Sequence, residues 1–581
     1  MWRHRLPPEG SFFDSSFQGG DISLRDKTPR PAKLNLIPLG GLGEIGKNLL
    51  VVECEDEIVV IDAGLTFPEE EMLGIDIVIP DLTYLVENAS RVKGIVLTHG
   101  HEDHVGALPY LLSRLQVPVY GTKLTMGLVG GKLEEHGLKL HPASRFVKPG
   151  DTVWVGSIRV DFFLVNHSIP DAVGLALHTP AGVVVHTGDF KFDQTPVDGR
   201  PADLHKLAEL GDQGVLVLMS DSTNAERPGY TPSERGVGKV LDDIFRVARQ
   251  RVLVASFASN IHRIQQVIYS AAREGRKVAV TGRSIENVID VASELGYLDI
   301  APGLLVTVEE ANRLPPEGVV ILTTGSQGEP LSALTRIATD DHRKVEIKPG
   351  DTVVIAATPI PGNEKMVGRT VDHLMRRGAD VVYGAGSGVH VSGHASREEL
   401  KLMLNLVRPK FFIPVHGEYR HLVRHAELAR EVGIPADHVF VAENGTVFEF
   451  SGERGRVAGK VTAGQVLVDG LGVGDVGHIV LRDRKQLAQD GILIVVLTID
   501  RQNNLLVAGP DIVTRGFVYV RESEALLEEA KAKVRQVLTN PDGGPLPEWS
   551  VIKGTVREAL GKLLYERTRR RPMILPIVMD V

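Results

Sequence analysis

The sequence predicts a multidomain α/β protein whose metal-type side chains gather at strand ends. Three observations predict it. The 581 residues exceed one ordinary domain, and three or four units is the expectation for that length. Short apolar β-forming runs recur, and those at 252–257, 277–282 and 318–323 are separated by helical stretches, the pattern of parallel strands. Three runs lead into ligand-type residues. One, at 94–97, enters Thr98-His99-Gly100-His101-Glu102-Asp103-His104, another ends on Asn166-His167, and a third ends on His186-Thr187-Gly188-Asp189.

Composition narrows the setting. The chain is 43% hydrophobic and 24% charged, close to the globular average, so a sizeable core is expected. Cys54 is the only cysteine. It cannot form an internal disulfide, and it excludes thiolate zinc modules, so any metal must use His, Asp and Glu. A reduced cytoplasm is the natural setting. No apolar run is long enough to span a bilayer, so no membrane role is expected. Residues 1–33 are polar, lack the apolar core of a secretory signal, and read as a flexible N-terminal extension. The net charge of −9 argues against a simple basic nucleic-acid binder. It does not exclude RNA, because a metal-lined cleft attracts polyanions while the outer surface stays acidic.

The first domain opens near residue 34. A strand at 35–39 enters Gly40-Gly41-Leu42-Gly43-Glu44-Ile45-Gly46, a formal Gly-x-Gly-x-x-Gly. A dinucleotide fingerprint needs a helix next. The sequence instead continues strand, turn, strand (48–53, 58–62), so the glycines read as a tight loop beside a cleft. Asp62 ends the second of these strands, either as a turn-forming residue or as a carboxylate that orients a metal-binding histidine. The His99–His104 string puts three imidazoles and a carboxylate after a buried strand, a donor set suited to zinc or manganese. His167 or Asp189 alone reads equally well as a core histidine or a turn aspartate. Three strands ending alike are much harder to produce by chance.

His99, His101, Asp103 and His104, then His167, then Asp189, resemble the metallo-β-lactamase superfamily in order and spacing, and Asp62 matches its first acidic motif. The resemblance implies an αββα sandwich with a dinuclear site at one edge. His99, His101 and His167 would hold one metal, Asp103 and His104 the second, and Asp189 both, with Asp62 behind them. Three later strings resemble the extra motifs of the β-CASP nucleases. These are Ser220-Asp221-Ser222-Thr223-Asn224, His390-Val391-Ser392-Gly393-His394, and Val415-His416-Gly417-Glu418. Asp221, His394 and His416 would be their key residues. Within that group the chain is most similar to the ribonuclease J family, from about residue 34 to the end. Ser256-Phe257-Ala258-Ser259-Asn260, Thr324-Gly325-Ser326-Gln327-Gly328 and Thr514-Arg515-Gly516-Phe517 support this.

That resemblance implies a layout. Residues 34–221 and 385–450 would form the lactamase-type domain and 222–384 an inserted α/β β-CASP domain. Residues 451–466 would be a linker, and 467–581 a small α/β C-terminal domain aiding self-association as a homodimer or homotetramer. A charged helix is expected at 524–537. The basic run Arg567-Thr568-Arg569-Arg570-Arg571 reads as a contact for RNA phosphates or as a solvated helix end.

The implied function is a two-metal ribonuclease, cytoplasmic, with 5′-to-3′ exonuclease and endonuclease activity in rRNA processing and mRNA decay. It would prefer single-stranded RNA with a 5′ monophosphate and could join an RNA-degradation assembly. Two divalent ions per subunit are expected, Zn2+ or Mn2+, with Mg2+ in assistance. Asp103, Asp221 and His394 are the candidate catalytic residues, and His416 is a further ligand of the second metal. The small residues of the loop His390, Val391, Ser392, Gly393 and His394 leave backbone N–H groups free for an anion. Ser259 and His262 are the candidate contacts for the terminal phosphate. The competing readings are a β-CASP DNA-processing nuclease, a lactamase-fold hydrolase of a small thioester or lactone, and a catalytically silent scaffold. A small-molecule enzyme has no use for the insertion, and a scaffold would have lost ligands.

Overall fold

The computed structural model describes residues 32–329, 331–359, 363–452, 454–500, 505–519, 522–538 and 549–580. The extension expected at 1–33 lies outside the described residues, apart from its last two. Two sheets face one another. The first has eight strands, in the spatial order Arg454–Lys460, Thr446–Ser451, Leu34–Gly40, Leu49–Cys54, Glu57–Ile61, Val92–Val96, Val119–Thr122 and Arg145–Val147. The second has six, in the order Phe411–Val415, Val217–Asp221, Gly182–His186, Val173–Thr179, Ile158–Leu164 and Thr152–Val155.

Alternating side chains explain the layering, because successive strand residues point to opposite faces. Leu36, Val52 and Val59 of the first sheet meet Phe162, Leu175 and Val184 of the second in one buried cluster. Their neighbours Ile37, Val51 and Val60 point outward and are covered by Leu108 and Leu111 and by Met126 and Val129 of the helix Lys123–Glu135. Phe163, Ala176 and Val185 are covered by the helices Leu204–Gln213 and Arg397–Val407. The result is helix, sheet, sheet, helix.

The second sheet closes only because the chain leaves and returns. Val217–Asp221 pairs in parallel with Phe411–Val415, with Asp221 opposite Val415. Between them lies a separate six-stranded sheet, in which every pairing is parallel: Leu305–Val306, Lys277–Thr281, Val319–Thr323, Val252–Ala255, Thr352–Ile355 and Asp380–Val382. Both its faces carry buried clusters, which is why its strands read as continuous apolar runs.

The segment 451–466 is not a plain linker. Arg454–Lys460 pairs antiparallel with Thr446–Ser451 and forms the edge of the eight-stranded sheet. Its side chains are mostly exposed, so no apolar alternation marks it, and the backbone ladder alone defines it. The next strand, Gln465–Asp469, pairs with Ile77–Pro80 of the lactamase-type region. The chain then forms a three-stranded sheet of Leu505–Arg515, Ile492–Asp500 and Met573–Asp580, backed by the helices Glu524–Leu538 and Trp549–Thr568. Among the described residues no helix is long and apolar enough to cross a membrane.

Candidate metal centre

The strands Glu57–Ile61 and Val92–Val96 are parallel neighbours, so the residues that follow them meet at one edge. Asp62 sits just past the first of these strands with φ +60°. An Asp adopts this left-handed conformation more readily than most residues. The turn aims its carboxylate at the histidine string. Oδ1 accepts the Thr98 backbone N–H at 2.8 Å and Oδ2 accepts the Thr98 hydroxyl at 2.8 Å. Oδ2 also accepts Nδ1–H of His104 at 2.7 Å. Gly64 lets the backbone close tightly, because a Cβ there would lie 1.6 Å from the Asp103 carbonyl oxygen.

Among the described residues three groups of ligand-type atoms result, each with its members within 4.8 Å of one another. The first is His99, His101, His167 and Asp189. The second is Asp103, His104, Asp189 and His416. The third is Asp221, His394 and His416. Asp189 belongs to the first two. Its Oδ1 lies 3.3 Å from His104 Nε2, while its Oδ2 lies 3.8 Å from His99 Nε2 and 3.7 Å from His167 Nε2. His416 Nε2 stands 3.2 Å from Asp103 Oδ2 and 3.5 Å from Asp189 Oδ2.

The donors fit divalent cations. Nδ1 of His101 lies 3.1 Å from Nε2 of both His99 and His167, so three ring nitrogens converge on one point. A tetrahedral ion with Zn–N near 2.0–2.1 Å spaces its nitrogens about 3.3 Å apart, close to what is seen. Nε2 of His101, on the outer side of the ring, is buried without a partner.

The two groups differ in charge. Burial pushes His99, His101 and His167 down, His101 to about 4, so the first group offers neutral imidazoles, the form that binds metal. Burial also works against His104 and His416, but Asp189 and the other carboxylates outweigh it. His104 is held well above its usual value and His416 is raised to about 9. Burial opposes ionisation of Asp103 and Asp189, yet the facing histidines hold both below the usual carboxylate range.

The β-CASP-type strings close the site from the other side. Nδ1–H of His394 donates to Asp221 Oδ2 at 2.8 Å, and this pair keeps His394 raised against its burial. His167 Nδ1–H donates to the Gly393 carbonyl at 2.9 Å. Ser392 Oγ accepts from Asn224 Nδ2 at 2.8 Å and from His394 N–H at 3.2 Å, which ties the loop down. Val391 leans on the core of the inserted domain. Ser259 and His262 stand at the start of the helix Ile261–Arg273, and Arg263 of that helix donates to the Val389 carbonyl at 3.2 Å and approaches His390 Nδ1 at 3.5 Å. His390, the first residue of the loop, and His262, next to Arg263, both lie outside the three ligand groups.

Sequence reading missed several supporting residues. Thr98 and Thr223 touch both a carboxylate and a histidine. The buried carboxylate of Glu399 accepts backbone N–H groups of Phe192, Thr231 and Ser396 and fastens the segments flanking the site. Buried Arg263 is paired with Glu234. The threonines were adjacent to the motif residues, which is a usable signal. Glu399 and Glu234 carried none.

Four stretches of the chain match known protein families. Residues 42–241 match the metallo-beta-lactamase superfamily and 249–374 the ribonuclease J beta-CASP domain. Residues 380–440 match a Zn-dependent metallo-hydrolase RNA specificity domain, and 479–581 the ribonuclease J C-terminal domain. The chain is 51% identical over 555 residues to ribonuclease J2 of Bacillus subtilis, covering 96% of this chain and all of that protein. The chain belongs to the ribonuclease J family. A second ribonuclease J relative, ribonuclease J 1 of Streptococcus pyogenes, is 45% identical over 95% of this chain and 98% of its own. A solved structure from Enterococcus faecalis, titled a protein of unknown function, shares the fold at a TM-score of 0.50 and 16% identity, over 75% of this chain and all of that one.

Proposed function

We propose that this protein is a metal-dependent ribonuclease acting at the edge where the three ligand groups meet. One observation carries the reading: Asp189 stands between two sets of His and Asp donors, as a residue shared by two cations would. His99, His101 and His167 would hold one ion, and Asp103, His104 and His416 the other. When bound, a pair of divalent ions supplies positive charge for the phosphate and an acidified water at neutral pH.

The remaining chemistry belongs to the chain. Asp103 stays ionised and partly exposed, which suits it to accept a hydrogen bond from an attacking water. Asp221 holds His394 above its usual value against its burial, which favours the protonated ring and suits it to donate to a phosphate oxygen or to the leaving 3′ oxygen. The backbone N–H groups of residues 390–393 and the hydroxyl proton of Ser392 suit a phosphate, while the His394 N–H is held by Ser392 Oγ. Ser259 and His262, flanking the N-cap of the helix whose Arg263 reaches His390, are proposed to take the 5′ monophosphate, which favours 5′-to-3′ exonuclease action alongside internal cutting.

The match of 380–440 to an RNA specificity domain supports RNA over DNA. Self-association through the C-terminal domain belongs to the same proposal. Its support is the row of exposed apolar side chains Leu575, Ile577 and Met579 on the strand Met573–Asp580. The lone cysteine supports a reducing, cytoplasmic setting.

Digestion of an end-labelled RNA across several metals tests the function. The proposal expects cleavage with Zn2+ or Mn2+ and none after exhaustive chelation. Full activity in the chelated protein would remove the metal-dependent mechanism.

A further inference from the structure

We infer that Thr98 and Thr223 are positioning residues: each hydroxyl bridges a carboxylate to a histidine and fixes which ring nitrogen that histidine turns toward the metal centre. The inference rests on the ligand roles proposed above.

Thr223 Oγ1 lies 2.7 Å from Asp221 Oδ1 and 2.8 Å from Nδ1 of His416. A hydroxyl has one proton to give, and an ionised carboxylate can only accept. The threonine proton therefore goes to Asp221. The hydroxyl oxygen is left to accept, so His416 must carry a proton on Nδ1. Nε2 is then the nitrogen free to ligate, and it is the atom that faces Asp103 Oδ2 at 3.2 Å and Asp189 Oδ2 at 3.5 Å.

Thr98 repeats the arrangement in the other group. Its Oγ1 donates to Asp62 Oδ2 at 2.8 Å and lies 3.1 Å from His99 Nδ1. His99 then turns Nε2 toward His101 Nδ1, 3.1 Å away, and toward Asp189. Two carboxylate–threonine–histidine relays, from different parts of the chain, thus each orient one ligand; Thr98 Oγ1 lies farther, 3.4 Å, from His104 Nδ1, which Asp62 already holds at 2.7 Å. Outer partners of this kind tune ligand orientation and basicity. Valine has the shape of threonine without the hydroxyl. Its substitution leaves an Nδ1–H unpaired and lets the ring choose the other tautomer or turn.

The test is cation binding, read apart from activity. Full-length metal-stripped protein is titrated with Zn2+ alone against a chromophoric chelator, and thermal unfolding checks each variant. Wild type and T223S should bind two equivalents alike. T223V should keep one equivalent tight and weaken the second about 10- to 100-fold. T98V should weaken the other equivalent, with T98S restoring it. If T223V does not fold, T223A against T223S makes the same comparison. H416A separates the two claims. If H416A also keeps both equivalents, the ligand reading itself fails. If H416A loses one while T223V titrates like wild type, the relay alone is overturned. A T223S variant as weak as T223V would also overturn it.

Discussion

The Gly393 carbonyl accepts the Nδ1–H of His167 at 2.9 Å, joining two points 226 residues apart. The contact links the proposed phosphate loop to a proposed metal ligand. It also explains the glycine, because a Cβ on residue 393 would lie 2.8 Å from two atoms of the His167 ring. Gly393→Ala should therefore push the imidazole aside. Cation affinity and cleavage rate should each fall by roughly tenfold or more, since outer-partner changes act on that scale. Far-UV circular dichroism should be unchanged. A variant with wild-type Zn2+ affinity and rate would break the link.

His101 and Asp103 sit in different ligand groups, so replacing both strikes both. The H101A/D103A protein should retain its fold, because both residues lie at the sheet edge and outside the buried apolar clusters. Its cleavage of a labelled RNA should fall to background. Normal turnover in the purified, folded double variant would place catalysis elsewhere.

The sequence made the centre unusually legible. His99 to His104 follow a strand of the eight-stranded sheet, and His167 and Asp189 follow strands of the facing six-stranded sheet, so the ends of the two sheets bring them together. Asp62 was ambiguous from sequence because its orienting role depends on a left-handed backbone and on Thr98, neither visible in a string. The edge strand Arg454–Lys460 was missed because exposed edges carry no burial pattern. The Glu399 and Glu234 anchors were invisible because a buried carboxylate looks like any surface acid until its partners, far apart in sequence, are assembled.

Acid should weaken the fold in a predictable window. His425 is fully buried, with Nδ1 3.0 Å from the Ser222 hydroxyl, and burial pushes it down to about 3. Above about 6.5, the ordinary value for histidine, it is neutral both folded and unfolded and has no effect. Below that, the unfolded chain takes up a proton that the folded chain refuses until about pH 3, so stability falls as pH falls. The slope reaches up to ~1.4 kcal/mol per pH unit for one such group. His390, lowered to about 4 by burial, adds to it. Urea midpoints measured from pH 7 to pH 5 should decline, and less steeply in H425Q. Equal slopes in the two proteins would contradict this account.

The 5′ end offers a separate check on the inserted domain. If His262 and Ser259 take a terminal monophosphate, RNA with that end should be degraded faster than its 5′-triphosphate twin, and H262A should narrow the gap while internal cutting persists. Rates from matched substrates, identical except at the 5′ end, decide it. Equal rates in the wild type would remove the end pocket.

Most direct is anomalous diffraction at the zinc edge from crystals grown with Zn2+. Two peaks, about 3.5–4 Å apart as in two-metal sites, should flank the Asp189 carboxylate. One should be ringed by His99, His101 and His167, the other by Asp103, His104 and His416. Density without any peak among these side chains, in protein that still cleaves RNA, would contradict the proposed centre.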